Sequence, residues 1–214
     1  MTEKTSSAGA PLVAVEISSA WEEDSAAAEA APNWLPDPAF CENCLSSGIK
    51  LLRLQGLQSA SRQDDATEPL NAEHPPYSLQ TYSVSLRFAE GVESKQLNTT
   101  YRGRSNPTNV LSFPIAEESA QWLTPRENGD SGDAEGANSE AAPLGELVLC
   151  PSIIESEASA QHKNLEDHWA HLLLHGLFHL LGFDHIKEDE AEEMESLEIE
   201  TLRSLGIPNP YLLD

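Results

Sequence analysis

The apolar positions of the chain follow two different periods, and the change of period divides it. In the first part they recur every second residue: Val13, Val15 and Ile17 in LVAVEI, then Tyr82, Val84, Leu86 and Phe88. A period of two lines one face of a half-buried strand. VLSF at 110–113 and ELVLC at 146–150 read as further strands on their β-branched and aromatic content. Residues 38–56 carry an imperfect helical stripe of Phe40, Cys44, Leu45, Ile49 and Leu52, and a short helix is expected over 91–102. Residues 18–35, rich in Ser, Ala and Glu, read as a loose helix or a disordered segment, and 58–78 as loop. Beyond Pro151 the period turns helical. One helix is expected over 152–164, and a second opens at Glu166 or Asp167 and runs to Gly182, a residue suited to ending a helix. A third covers 188–205, with Ala191, Met194, Leu197, Leu202 and Leu205 roughly on one side. Its first-turn acids at 188–190 complement the helix dipole. Strands first, longer helices afterwards and no internal repeat predict an α+β fold, a single domain on a small sheet packed with helices.

Composition narrows the class. The 214 residues suffice for one substantial core. Twelve basic against 36 acidic residues give a net charge of −24, which counts against a general nucleic-acid coat or a membrane-surface binder. The start, MTEKTSSAGAPLVAVEI, lacks the apolar core of a signal peptide. The most apolar stretch, His171 to Phe183, has 13 residues and three histidines, too short and polar to span a bilayer. Three cysteines argue against a disulfide framework, so a soluble cytoplasmic protein is expected. Cys41 and Cys44 form a C-x-x-C, but no βαβ context surrounds them, and buried or partly exposed helix cysteines are the simpler reading; Cys150 reads as core.

The charge is uneven. Residues 94–114 hold Lys95, Arg102 and Arg104 and no acid, whereas 184–200 hold nine acids and only Lys187 as a base. Residues 115–143 are acidic and rich in Gly, Ser, Ala and Pro, with little apolar material to offset ordering, and are expected to be a mobile loop. The expected organisation is a flexible N-terminus over 1–11 and one domain over 12–214.

Six of the seven histidines fall between residues 162 and 185. His175 and His179 are four apart on a predicted helix, so their rings leave the same face one turn apart. Gly182 permits the positive φ that returns the chain and brings His185 to the same point. Three neutral imidazoles around one ion, with a position left for water, describe a catalytic zinc site, and bound zinc lowers the pKa of water towards 7. His168 and His171 read as core or boundary histidines, His171 also as a support one turn before His175. The spacing H-x-x-x-H-x-x-G-x-x-H is also that of metzincin peptidases, whose first histidine is followed by a glutamate general base. Here that position is Gly176, which moves no proton.

HGLFHLLGFDH at 175–185 resembles the histidine signature of the bacterial YbeY family of metal-dependent endoribonucleases, also called rRNA maturation factors. LNTTYRGRSNPTNVLSFP at 97–114, LGELVLCP at 144–151, DHWAHLLLHG at 167–176 and DEAEEMESLEIETLRSLG are similar to the family's other blocks. The resemblance implies a small mixed sheet and one zinc ion held by His175, His179 and His185. It further implies single-strand cleavage in ribosomal RNA processing, especially at the 3′ end of the small-subunit (16S) RNA, and a part in ribosome quality control. The family's cleft arginine falls on Arg102. Phe178, Phe183 and Glu146 stand where leucine, tyrosine and aspartate are common.

On this reading His175, His179, His185 and Arg102 form the catalytic set. The metal activates water, or polarises the phosphate while a ribose hydroxyl attacks, and the Arg102 fork fits phosphate oxygens. Lys95 and Arg104 either extend a phosphate track or face solvent, Asn98 and Asn109 either bond RNA or cap turns, and Asp184 either orients a ring or faces solvent. The expected partner is ribosomal RNA, within ribosomal particles and with ribosomal-protein contacts, and neither DNA nor membrane. A metallopeptidase-like hydrolase and a non-catalytic assembly factor with structural zinc are the alternatives.

Overall fold

A computed structural model describes residues 12–20, 32, 34–61, 81–115, 141–183 and 187–212. Four strands, β1 (Val13–Ser19), β2 (Tyr82–Phe88), β3 (Val110–Pro114) and β4 (Ala142–Leu149), form one sheet in the order β1-β2-β4-β3. β1, β2 and β4 are parallel and β3 runs antiparallel on the β4 edge, so the sheet is mixed. Five helices accompany it: α1 (Pro38–Ser61), α2 (Gly91–Arg102), α3 (Pro151–Ala160), α4 (Leu165–Leu180) and α5 (Glu188–Ser204). The expected single α+β domain on a small mixed sheet is the observed architecture.

Period-two alternation decides which sheet face is covered. Tyr82, Val84, Leu86 and Phe88 are buried beneath the helices, while Ser85 between them is exposed. α1 and α4 pack on that face. Leu147 points up from β4 into α4, and Val148, the next residue, points to the opposite face. There it joins Ala89, Leu111, Leu97 and Phe113 in a small second cluster, so α2 covers the reverse side of the β3–β4 corner. The same alternation splits β3: Ser112 Oγ donates to the Gly176 carbonyl of α4, whereas the Phe113 ring meets Tyr101 of α2 at 5.0 Å.

α4 is the central helix. Trp169, Leu173, Leu174, Leu177 and Phe178 are fully buried, with Trp169 edge-on to Trp34 and to Phe88 of β2. A helix apolar on nearly every side belongs in the middle of a fold. Its start is fixed locally, because the Asn164 side chain accepts from Asp167 N and caps the first turn.

Several boundaries move. α1 runs five residues beyond the expected end at 56, to Ser61, and thereby takes the first residues of the expected 58–78 loop. β4 begins at Ala142 rather than Glu146, inside the segment expected to be loop. Pro143 and Gly145 hide this start in the sequence; Pro143 is tolerated because it lies beyond the end of β3, where one edge of β4 is open. α3 stops at Ala160, four residues short of the expected 164, where His162 takes a left-handed conformation. The expectations for 1–11 and for most of 18–35, 58–78 and 115–143 fall outside the described residues. Cys41, Cys44 and Cys150 are free and buried, and burial pushes the Cys41 and Cys44 thiols up to about 12, which agrees with the packing reading of the C-x-x-C.

Candidate functional site

The only polar stripe on the buried helix α4 is built from histidine. His168, His171, His175 and His179 stand at i, i+3, i+7 and i+11, which a 3.6-residue turn stacks along one side. Each ring has a protein partner, and the choice of nitrogen divides the four. His179 Nδ1 lies 3.0 Å from the Phe183 carbonyl oxygen, which can only accept, so Nδ1 carries the proton. His175 Nδ1 lies 2.9 Å from Oε1 of Glu198, again an acceptor. In the neutral rings both Nε2 atoms are therefore left with lone pairs. Those two atoms are 3.2 Å apart. Two facing lone pairs repel unless a proton or a metal ion lies between them; a proton shared by the two rings gives such a contact, and tetrahedral zinc at its usual distance from nitrogen separates two ligands by ~3.3 Å. The pair fits two metal ligands.

His168 and His171 are oriented the other way. They spend Nε2 on Glu157 Oε2 at 3.1 Å and on Glu198 Oε2 at 2.8 Å. Their Nδ1 atoms are buried, with no hydrogen-bond partner among the described residues. Their Nε2 atoms are thus taken by carboxylates, unlike those of His175 and His179.

Glu198 is the hub. Its side chain is 1% exposed and accepts from His175, His171 and the Tyr211 hydroxyl. Burial alone would raise its carboxyl, but the hydrogen bonds from His171 and His175 outweigh burial and hold it at about 2. Burial and the adjacent Glu198 push the Tyr211 phenol above its ordinary value, so it is a proton-bearing donor. Glu157 is a looser version. It is one-third exposed and accepts from His168 and from Asn109 Nδ2 at 3.0 Å. Burial raises it, yet these two hydrogen bonds leave it below its ordinary value. A cavity of about 300 Å³ opens beside His175, with His168, His171, Glu157, Glu198, Asn109 and Tyr211 in its wall.

Gly176 explains why this position is not a catalytic glutamate. A Cβ there would come within 2.8 and 3.0 Å of the two methyl carbons of the fully buried Leu147, so any side chain at this position would force Leu147 or the helix to shift. The position faces the sheet, not the histidine pair. A carboxylate there would start against the buried Leu147, where an ionised group is costly.

Gly182 has φ +91, the left-handed turn expected after α4. His185 and Asp184, which follow it, lie outside the described residues, and among the described residues no group of three metal-binding side chains occurs. Arg102 is exposed in the last turn of α2, and no described contact joins it to the histidine pair. Asn98 is buried and donates to Asn106 O, so it fastens the loop after α2; Asn109 caps β3 and reaches Glu157.

Glu198, Glu157 and Tyr211 have no place in the sequence reading. Glu198 was hidden in the acidic run of α5, yet a signal existed, since it falls on the stripe of Met194, Leu197, Thr201 and Leu202. Residues 56–206 match the family described as Endoribonuclease YbeY. The chain belongs to that family. The protein is accordingly an enzyme of the hydrolase class, an endoribonuclease. Among solved structures, the chain is similar to the solution structure of TM1509 from Thermotoga maritima (VT1, a NESGC target protein), with 22% identity, 76% of this chain and 84% of that chain covered, and a TM-score of 0.36. Within the YbeY match fall α2 to α5, β2 to β4 and all four histidines of the stripe.

Proposed function

We propose that this YbeY-family protein is a zinc-dependent, single-strand-specific endoribonuclease that trims ribosomal RNA, including the 3′ end of the small-subunit RNA, and serves ribosome quality control. The observation that carries the metal reading is the pair of Nε2 atoms of His175 and His179 at 3.2 Å, each ring locked by its other nitrogen. One zinc ion would be held by His175, His179 and His185. Bound there, zinc supplies Lewis acidity and brings the pKa of water near neutral.

The chain's own groups supply the rest. Glu198 and the Phe183 carbonyl fix the tautomer and tilt of the two rings, which raises their basicity as ligands. Arg102, always charged and exposed, takes phosphate oxygens through its planar fork and offsets the charge that builds on phosphorus. The cavity beside His175 gives a nucleotide next to the cut a place to sit. A net charge of −24 opposes tight binding of bare RNA, so the substrate is ribosomal RNA presented within a particle, with ribosomal-protein contacts, in the cytoplasm. DNA and membranes are not partners. The peptidase alternative loses its base at Gly176 for a packing reason.

The test is cleavage of a small-subunit rRNA fragment by zinc-loaded protein, with products mapped by sequencing and His179→Ala prepared alongside. Defined cuts by the parent and none by the variant are expected. Arg102→Ala should lose turnover while keeping its zinc. Cuts that persist in His179→Ala would overturn the metal-centred reading.

A further inference from the structure

The α2 end of the molecule departs from the rest in charge and in the way it is ordered. Lys95, Arg102 and Arg104 are exposed, and none pairs with a carboxylate among the described residues of a chain carrying 36 acids. The acid in the first turn of α2, Glu93, is spent on Arg87 at 3.1 Å, and Arg87 also meets Glu146 at 3.4 Å. Lys95, Thr99 and Arg102 stand at i, i+4 and i+7, one outward stripe about 10 Å long. Arg104 follows the turn at Gly103, with its carbonyl held by Thr99 Oγ1 at 3.1 Å.

The loop 103–109 buries little apolar surface, yet it is held at several points. Asn98 Nδ2 donates to Asn106 O at 2.7 Å; Ser94 Oγ donates to Thr108 O at 2.7 Å and accepts from Thr108 N at 2.9 Å. Ser94 and Asn98 are almost wholly buried. Two buried polar side chains thus serve to order an exposed, cationic segment. On its flank stands Tyr101, 66% exposed, its ring held edge-on by Phe113. The loop ends at Asn109, whose amide reaches into the cavity beside His175.

We infer that the outer end of α2 and the loop after it form a landing track for single-stranded RNA, with Lys95 and Arg104 on phosphates and the Tyr101 ring stacked on a base. Cations with no carboxylate partner among the described residues, beside a fixed, exposed aromatic ring, match the chemistry of a single strand, whose every base offers a π-face and whose backbone offers charge. The inference rests on the endoribonuclease reading and adds where the strand lies as it approaches Asn109 and the cavity. Lys95, Tyr101 and Arg104 position the substrate and do not touch the reacting atoms.

The test measures binding of a short, unstructured, fluorescently labelled oligoribonucleotide to the full-length zinc-loaded protein over a series of salt concentrations, with cleavage followed in parallel. The Lys95→Ala/Arg104→Ala double variant should flatten the slope of log affinity against log salt by about 1.4, at roughly 0.7 per phosphate contact. Tyr101→Ala should weaken binding about tenfold, and Tyr101→Phe should restore it because stacking needs the ring and not the hydroxyl. KM should rise in these variants with kcat little changed, and zinc content should stay at the parent level. A parent that binds with these dependences but does not cut would support the track and remove the cleavage reading. A parent that cuts while the double variant keeps its affinity and salt slope would overturn the track and leave cleavage standing.

Discussion

Two carboxylates grip the histidine helix α4 from two different neighbours, and they differ in which histidine nitrogen they occupy. Glu198 on α5 is buried and takes one Nδ1, one Nε2 and a tyrosine hydroxyl. Glu157 on α3 is one-third exposed and takes one Nε2 and an asparagine amide. Only the bond to Nδ1 of His175 frees an Nε2 to point at His179. A His–Glu pair is thus no sign of a metal site by itself; the nitrogen it occupies is the sign.

Acid unfolding should separate the two grips most widely. Glu198 lies at about 2 in the folded protein against an ordinary 4.5, so its contribution is fully present above pH 4.5 and is lost as the pH falls towards 2. At about 1.4 kcal/mol per pH unit the loss amounts to roughly 3 kcal/mol. Urea unfolding of metal-free protein should show this loss in the parent and in Glu157→Gln, and a flatter profile in Glu198→Gln. A Glu198→Gln profile as steep as the parent's would remove Glu198 from its central place.

Metal affinity gives the next effect. Glu198→Ala should weaken zinc binding by about 10–100-fold, the usual consequence of losing the group that orients a ligating histidine. Glu157→Ala should leave it within about twofold, because its partner, His168, keeps no nitrogen toward the ion. Equal losses in competition titrations against a chromophoric chelator would erase the distinction drawn from the nitrogens. Tyr211→Phe is the gentlest probe. It removes one of three donors to Glu198 and should cost about 1 kcal/mol of stability in urea, with zinc affinity near the parent value.

The two regions also differ in how far sequence reveals them. Strict alternation at Tyr82, Val84, Leu86 and Phe88 made β2 visible, since one face is buried and the other is not. The His175–His179 spacing and the turn at Gly182 made the histidine pair visible, because both are local geometry. The supports are not local. Glu157 meets Asn109 across 48 positions, and Tyr211 reaches Glu198 only because the chain folds back after α5. Gly176 is instructive in a different way: sequence shows that it lacks a base, but only the contact with Leu147 shows why the helix needs a glycine there. The start of β4 was obscured by Pro143 and Gly145, residues that a strand accepts only at an open edge or an irregular register.

The central claim is that His175 and His179 present Nε2 to one ion while His168 and His171 do not. The direct measurement is a zinc titration of the full-length protein and of His179→Ala and His168→Ala, each shown by circular dichroism to be folded. One zinc per chain is predicted for the parent and for His168→Ala, with affinity lowered at least about a hundredfold in His179→Ala. Parent protein that binds no zinc, or His179→Ala that binds it as tightly as the parent, would contradict the account.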